Sequence, residues 1–154
     1  MRHSVTRVLP WTPEQLQALV GEVDRYPEFV PWITSMRTWN HHAEGEGVTV
    51  LDAEATVGFK FLREKFATRV RRDANVPSIH VSLLHGPFKR LENRWVFQPH
   101  AEGTTVKFDI DFAFKSRLLE MMLAANMSYA VEKLMGCFEA RARALYGAGA
   151  KAAG

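Results

Sequence analysis

The sequence predicts an α+β fold in which a curved antiparallel sheet of about six or seven strands wraps around one long C-terminal helix. Two observations support this prediction. Residues 106–115 place aliphatic and aromatic side chains on one face and charged or small ones on the other, because side chains along a strand alternate. Directly after them, Arg117–Tyr146 contains no helix breaker except Gly136, which predicts a helix roughly 45 Å long. A sheet face this aromatic needs a cover, and the helix is the natural one.

The elements before this segment follow in a simple order. Residues 3–9 alternate as a first strand, and Thr12 followed by Pro13 marks the start of a helix. Residues 26–33, with two prolines and three aromatics, suggest a second short helix. Further strands are predicted at residues 33–42, 48–57, 65–72, 79–84, 91–98 and 104–115. The polar turns between them indicate antiparallel pairing, and the whole order is that of a helix-grip arrangement.

Composition bounds the class of protein. A chain of 154 residues with 47% hydrophobic and 24% charged residues predicts one globular domain, residues 1–147, with residues 148–154 as a flexible tail. A net charge of +3 permits attraction to anionic lipid or RNA without requiring it, and we expect no DNA partner. Neither a membrane span nor a signal peptide is visible. We therefore expect a cytoplasmic protein, with a peripheral position at the inner membrane as an option.

The residue types that could carry out catalysis show no recognisable catalytic pattern in this sequence. Asp109 and Asp111 lie on the strand face opposite the aromatic side chains, which is typical of a solvated surface. Asp52 and Glu54 with Arg69 and Arg71 are placed as cross-strand charge pairs on an outer surface. The histidines lack the spacing of a metal site, and Cys137 lies among apolar helix residues as a small core side chain does. We expect no enzyme activity, no metal and no catalytic cofactor.

The apolar residues are more informative, because they decide between a solid core and a ligand cavity. The set predicted to face inward contains Ala53, Ala55, Val57, Ile79, Val81, Leu83, Asn93, Trp95, Phe97, Phe108, Ile110, Phe112 and Phe114 from strands, and Met121, Met122, Ala125, Met127 and Tyr129 from the long helix. Methionines and alanines opposite aromatics leave adaptable space, although a methionine stripe is also ordinary packing. Asn93 favours a cavity, because a polar group on an inner face needs a partner such as water or a ligand.

Two hairpin tips combine aromatic and cationic side chains. They lie at residues 58–62 and 85–90, and the residues predicted to dock on a membrane are Phe59, Phe61, Leu62, Lys89 and Arg90. Such tips suit an anionic bilayer surface, since the aromatic enters the interface and the cation meets the headgroups. Alternatively, the aromatic side chains fold back and cap the core.

Several segments together carry a resemblance to a known family. They are VDRYPEFVPW (23–32), GPFKRL (86–91), W-x-F-x-P (95–99), FDIDFAFKSRLLEMM (108–122) and FEARARALYG (138–147). In this order and spacing they resemble the coenzyme Q-binding START-like family, within the polyketide cyclase/dehydrase and lipid-transport superfamily. The resemblance covers residues 5–147 and implies non-enzymatic binding of ubiquinone or a similar polyisoprenoid lipid in a hydrophobic cavity, in support of respiratory electron transport. Positions that match and would line or gate that cavity are Phe29, Trp32, Pro87, Phe88, Trp95 and Phe97.

The same family offers two alternatives. It includes a bacterial ribosome-association toxin with the same YP-x-F-x-P and GPF motifs, and basic residues could serve an RNA contact here. Those residues are Arg69, Arg71, Arg72, Lys89 and Arg90. Because the chain lacks a long basic stripe interleaved with aromatics, ribosome binding ranks second. A cyclase-type enzyme ranks third, since only Asn93 and Tyr129 offer polar groups toward the cavity.

Overall fold

The computed structural model describes residues 1–59 and 62–149, with the backbone alone at Phe59 and Leu62. Within these ranges the chain forms seven strands and two α-helices, with a 3-10 helix at Val23–Glu28. The strands are β1 (Arg2–Leu9), β2 (Ile33–Gly45), β3 (Val48–Phe59), β4 (Leu62–Asp73), β5 (Ser78–His85), β6 (Phe88–His100) and β7 (Gly103–Phe114). The helices are α1 (Pro13–Gly21) and α2 (Arg117–Tyr146). No helix in these ranges is long and apolar enough to cross a membrane.

All seven strands form one antiparallel sheet in the order β1-β7-β6-β5-β4-β3-β2. Consecutive strands from β2 to β7 pair with each other, and β1 pairs with β7 at the opposite edge from β2. The two short helices follow β1, and α2 packs its buried residues against the sheet core. The predicted fold class is therefore confirmed.

Local signals place α1 as predicted, whereas the second short helix is a 3-10 helix at Val23–Glu28 and does not extend over the predicted residues 26–33. The Thr12 side chain accepts a hydrogen bond from the Gln15 amide, the Gln15 side chain accepts one from Thr12, and Pro13 occupies the first turn. This capping box satisfies amides that the first turn leaves without helical partners. The preceding Trp11 is buried, and its carbonyl accepts a hydrogen bond from the Thr104 hydroxyl at 2.6 Å. These contacts fix α1 across one end of the sheet.

The C-terminal half of α2 is firmly attached to the rest of the domain. The buried side of α2 begins at Met127 and continues through this half with Val131, Met135, Phe138 and Ala142, which recur at helical spacing. Arg7 on β1 forms ion pairs with Glu132 and Glu139, and Arg141 lies 3.0 Å from Glu28. The Trp11 indole and the Tyr146 hydroxyl donate hydrogen bonds to the carbonyls of Gly147 and Gln15, both at 3.2 Å. Sheet, short helices and α2 are thus joined at this end.

The predicted inward face of α2 is wrong in its first half. Met121, Met122, Ala125 and Tyr129 are exposed, and only Met127 of the predicted helix set is buried. Two residues along a helix turn the side chain by about 200°, so Ala125 and Tyr129 must point away when Met127 points inward. The residues that face the sheet in these turns are the half-buried Leu119 and Leu123 together with Met127.

Candidate ligand-binding site

The concave face of the sheet is solidly packed at one end. Trp95 lies opposite Ile79 on β5 and Phe108 on β7, and all three are buried. The ring of Trp95 lies 4.4 Å from that of Phe108 and 5.1 Å from that of Phe138 on α2. No room for a ligand remains in this layer, which is covered by the attached half of α2.

The next layer toward the first half of α2 is less completely covered. Val81, Asn93 and Ile110 are cross-strand neighbours on β5, β6 and β7, and all three keep partial exposure. Leu83 follows on β5, and Leu123 is the half-buried helix residue on this side. Because these side chains face the helix and not the outer surface, their exposure comes from space between sheet and helix. We refer to this space, lined by Val81, Leu83, Asn93, Ile110 and Leu123, as the crevice.

Aromatic rings surround the outer end of the crevice. The Phe88 ring lies 5.3 Å from the ring of Phe66 and stacks at 4.7 Å on that of Phe114. Phe114 in turn meets Phe112 at 5.6 Å, edge to face. These rings lie where the β5–β6 hairpin meets the start of α2, since the Lys115 amide donates to the Pro87 carbonyl at 2.9 Å. The end of the crevice is therefore apolar and flanked by the first turn of the helix.

A single polar side chain, that of Asn93, interrupts the apolar lining of the crevice. Its neighbours across the sheet are Val81 and Ile110, and Leu91 and Trp95 precede and follow it on the same face of β6. The Asn93 Oδ1 atom is shielded from solvent and accepts no hydrogen bond from the described residues. A buried acceptor without a partner costs free energy, roughly 1–3 kcal/mol. Such an atom indicates a position that a ligand or water completes.

A second concavity lies on the outside of α2. It has a volume of about 640 Å³ and is lined by Phe29, Tyr129, Glu132, Lys133, Gly136, Cys137, Ala140, Arg141 and Ala144. Phe29 packs edge to face on Phe138 at 5.4 Å, with the Arg141 guanidinium 5.1 Å from its ring. Burial raises the pKa of the Cys137 thiol, which leaves it a poor nucleophile. Phe29 and Tyr129, both predicted to contact ligand, line this outer concavity and not the crevice.

The predicted ligand-binding residues fall into three groups by exposure. Trp95, Phe97, Phe108 and Phe112 are buried; Phe29, Trp32, Leu83, Pro87, Phe88, Asn93 and Ile110 are half-buried; Met122, Ala125 and Tyr129 are exposed. The crevice brings together Leu83, Asn93 and Ile110, with Phe88 at its end. Ligand contact by any of these residues stays a prediction.

Sequence reasoning missed two residues of this region and one of its ring contacts. Phe66 lies on the concave face opposite Ala55, and the alternation of Phe66, Thr68 and Val70 would have identified it. Phe114 was recognised as inward-facing but not as a stacking partner of Phe88. Leu123 would have followed from its spacing of four residues to Met127.

The two cationic residues predicted to dock on a membrane lie on the outer surface. Lys89 and Arg90 are exposed, with Arg90 3.2 Å from Asp111. Phe61 lies outside the described residues, and the side chains of Phe59 and Leu62 are not described.

On the convex face, Arg69 donates hydrogen bonds to both carboxylate oxygens of Asp52 at 2.9 and 3.3 Å. These bonds, with one from Asn40, hold the pKa of the Asp52 carboxyl below its usual range. Within residues 1–59 and 62–149 no group of three His, Cys, Asp or Glu side chains is arranged to hold a metal ion.

A curved sheet closed by a C-terminal helix, with an apolar crevice between them, defines the helix-grip class of proteins. The chain belongs to the polyketide cyclase/dehydrase and lipid transport family, whose model matches residues 9–139. The family resemblance seen in the sequence is therefore confirmed.

Individual relatives carry different names. A protein of Rickettsia prowazekii named ribosome association toxin RatA is 32% identical over 141 residues, covering 90% of this chain and 93% of the relative. The mitochondrial coenzyme Q-binding protein coq10 of Schizosaccharomyces pombe is 30% identical over 122 residues, covering 78% of this chain and 73% of the relative.

Solved structures share the fold. An 18 kDa protein of Caulobacter crescentus, solved in solution, is 64% identical with a TM-score of 0.81, covering 96% of this chain and 99% of that one. The Zhui aromatase/cyclase of a Streptomyces species has a TM-score of 0.75 at 16% identity, with 97% of each chain covered. At that identity the second likeness concerns the fold alone.

Proposed function

We propose that the protein is a non-enzymatic carrier that binds a long-chain quinone or a similar polyisoprenoid lipid in the crevice, in support of respiratory electron transport. The observation that carries the proposal is the buried Asn93 Oδ1, an acceptor that finds no partner among the described residues and lies in an otherwise apolar lining. The coenzyme Q-binding name of the fission yeast relative supports the choice of ligand class.

The chemistry of the lining fits an amphiphile with a small polar head. The amide of Asn93 can donate to a carbonyl or accept from a hydroxyl, so it suits a ring that carries either group. Val81, Leu83 and Ile110 provide apolar walls, and each methylene of a tail buried there contributes about 0.8 kcal/mol. Phe88 and Phe114 offer flat surfaces at the outer end. Tail contacts would then dominate affinity, while Asn93 sets the orientation of the head.

Direct detection of the ligand tests this proposal. Native mass spectrometry and organic extraction of protein purified from its own cells should show a co-purifying quinone or isoprenoid lipid. Titration of the delipidated protein with a short-chain ubiquinone analogue should saturate at one equivalent. Absence of both signals would overturn the carrier function.

A matched pair of variants locates the binding site. Asn93→Leu replaces the polar group in the crevice, whereas Gln98→Leu changes an exposed amide on the same strand. Loss of one hydrogen bond should weaken binding of the quinone analogue about three- to tenfold for Asn93→Leu and leave Gln98→Leu unchanged. Equal affinities for the two variants would place the ligand elsewhere, for instance in the outer concavity beside Phe29.

Ribosome binding is the second candidate, and the names of the relatives favour it. The basic residues proposed for RNA are partly engaged within the protein. Arg69 pairs with Asp52, and Arg71 lies 3.5 Å from Glu44 and 3.7 Å from Asp73. Sucrose-gradient profiles of a cell extract with added protein decide the matter. A loss of joined ribosomes at stoichiometric protein supports this function, and unchanged profiles exclude it.

A further inference from the structure

The outer side of the first half of α2 carries an exposed apolar stripe. Leu118 is 64% exposed, Met121 72%, Met122 37% and Tyr129 63%, and Ala125 is exposed as well. Their spacing of three or four residues puts them on one side of the helix, opposite the side that faces the crevice. We call these five residues the outer stripe. Leucine and methionine side chains this exposed, next to each other, are typical of a surface with a partner.

The acidic residues of α2 that lie nearest the outer stripe are engaged within the protein. Between residues 117 and 131 the only acidic residue is Glu120, and its carboxylate accepts a hydrogen bond from the Phe114 amide at 2.7 Å. Glu120 is therefore partly buried at the base of the helix and does not belong to the exposed side. The next acidic residue, Glu132, lines the outer concavity with Tyr129 and forms an ion pair with Arg7 of β1.

Positive charge, in contrast, lies at both ends of the stripe. Lys115 and Arg117 are exposed just before it, and the hydrogen bond between Lys115 and Pro87 brings Lys89 of the β5–β6 hairpin to the same end. At the other end the Lys133 ammonium lies 5.6 Å from the ring of Tyr129. An uncharged apolar stripe with cations at its ends matches an anionic bilayer, because apolar side chains enter the interface while lysines and arginines extend to the headgroups.

We infer that the outer stripe is a membrane-docking surface on which the protein lies against an anionic lipid bilayer, with the first half of α2 parallel to the bilayer plane. The stripe begins beside the aromatic end of the crevice, so docking would bring Phe88 and Phe114 close to the lipid. This inference does not depend on which ligand the crevice holds.

Vesicle sedimentation tests the inference directly. The full-length protein is mixed with vesicles of phosphatidylcholine and phosphatidylglycerol, or of phosphatidylcholine alone, and the bound fraction is measured over a range of salt. Wild-type protein should bind the anionic vesicles and lose binding as salt rises. The double variant Leu118→Ser/Met121→Ser should bind at least about tenfold more weakly, because two apolar side chains no longer enter the interface. Lys115→Glu/Arg117→Glu should abolish the preference for anionic vesicles.

The control is Leu145→Ser, which removes an exposed leucine near the other end of the same helix. It should leave vesicle binding unchanged, and circular dichroism should show the same helix content for all variants. No vesicle binding by the wild type, or equal binding by the stripe variant and the control, would overturn the inference. So would a wild-type dimer in light scattering that the stripe variant abolishes, since the occupant would then be a second copy of the chain.

Discussion

Replacing Asn93 by leucine should make the protein without ligand more stable. Leucine has nearly the shape of asparagine, and the neighbours of Asn93 on the concave face are the apolar Val81, Leu91, Trp95 and Ile110. The substitution removes a buried acceptor that no described residue satisfies. It therefore removes a penalty from the folded state that the unfolded chain, hydrated throughout, does not carry.

The expected magnitude follows from the cost of one unsatisfied polar group. That cost is about 1–3 kcal/mol. For a chain of 154 residues, an unfolding entropy of about 2.1 cal/mol/K per residue means that 1 kcal/mol shifts Tm by about 3 °C. Asn93→Leu should therefore raise Tm by about 3–9 °C, although it weakens binding of the quinone analogue.

Differential scanning calorimetry of delipidated protein, with urea unfolding at 25 °C, measures this change. Gln98→Leu is the control, because it changes an exposed amide on the same strand and should shift Tm by less than about 2 °C. A Tm of Asn93→Leu equal to or below that of the wild type would refute the reasoning, since the amide would then be satisfied in the folded protein.

Two further predictions concern the convex face and the β5–β6 hairpin. The pKa of Asp52 is lowered in the folded state, chiefly by hydrogen bonds from Arg69, so its contribution to stability is present at neutral pH and is lost as pH falls below about 4. Urea titrations from pH 7 to 3 should show that the free energy of unfolding declines less steeply for Asp52→Asn and for Arg69→Met than for the wild type. A decline as steep as that of the wild type would contradict the role of the Asp52–Arg69 pair. Gly86 has a φ of +154°, and an added Cβ would lie 2.5 Å from the Cβ of Phe66. Gly86→Ala should lower the free energy of unfolding by about 1–3 kcal/mol. Gly136→Ala, whose added Cβ meets nothing within 4 Å, should instead stabilise the protein by about 0.5–1 kcal/mol. Equal effects of the two variants on the free energy of unfolding would show that the contact with Phe66 is unimportant.

Much of the fold was predictable because its signals are local. The strand alternation, the cap at Thr12 and the breaker-free run of Arg117–Tyr146 each act within a few residues, and the predicted helix bounds agree with those of α2. Strand ends differ by up to three residues, for example at β6, which begins at Phe88 where the prediction began at residue 91. Hairpin ends depend on pairing between neighbouring strands, and the sequence of a single strand does not determine where that pairing stops.

The orientation of α2 was not predictable in its first half. Its turns carry two apolar stripes, one with Leu123 and Met127 and one with Met122, Ala125 and Tyr129, and periodicity alone does not choose between them. Packing against the sheet decides between them, because the buried side chains of Val131, Met135 and Phe138 fix the rotation of the helix. Likewise, the sequence indicated that Asn93 faces inward, but only the packed structure shows that its acceptor has no partner.

The unequal attachment of α2 has a kinetic consequence. Its second half is held by the ion pairs of Arg7 and Arg141 and by the hydrogen bond from Trp11. Its first half is held by the packing of Leu123 and Met127 and by the hydrogen bond from the Phe114 amide to Glu120. Detaching the first half therefore requires much less free energy than unfolding the domain. A ligand could reach or leave the crevice through such local opening, so its residence time would be set by these few side chains and not by the global stability of the protein.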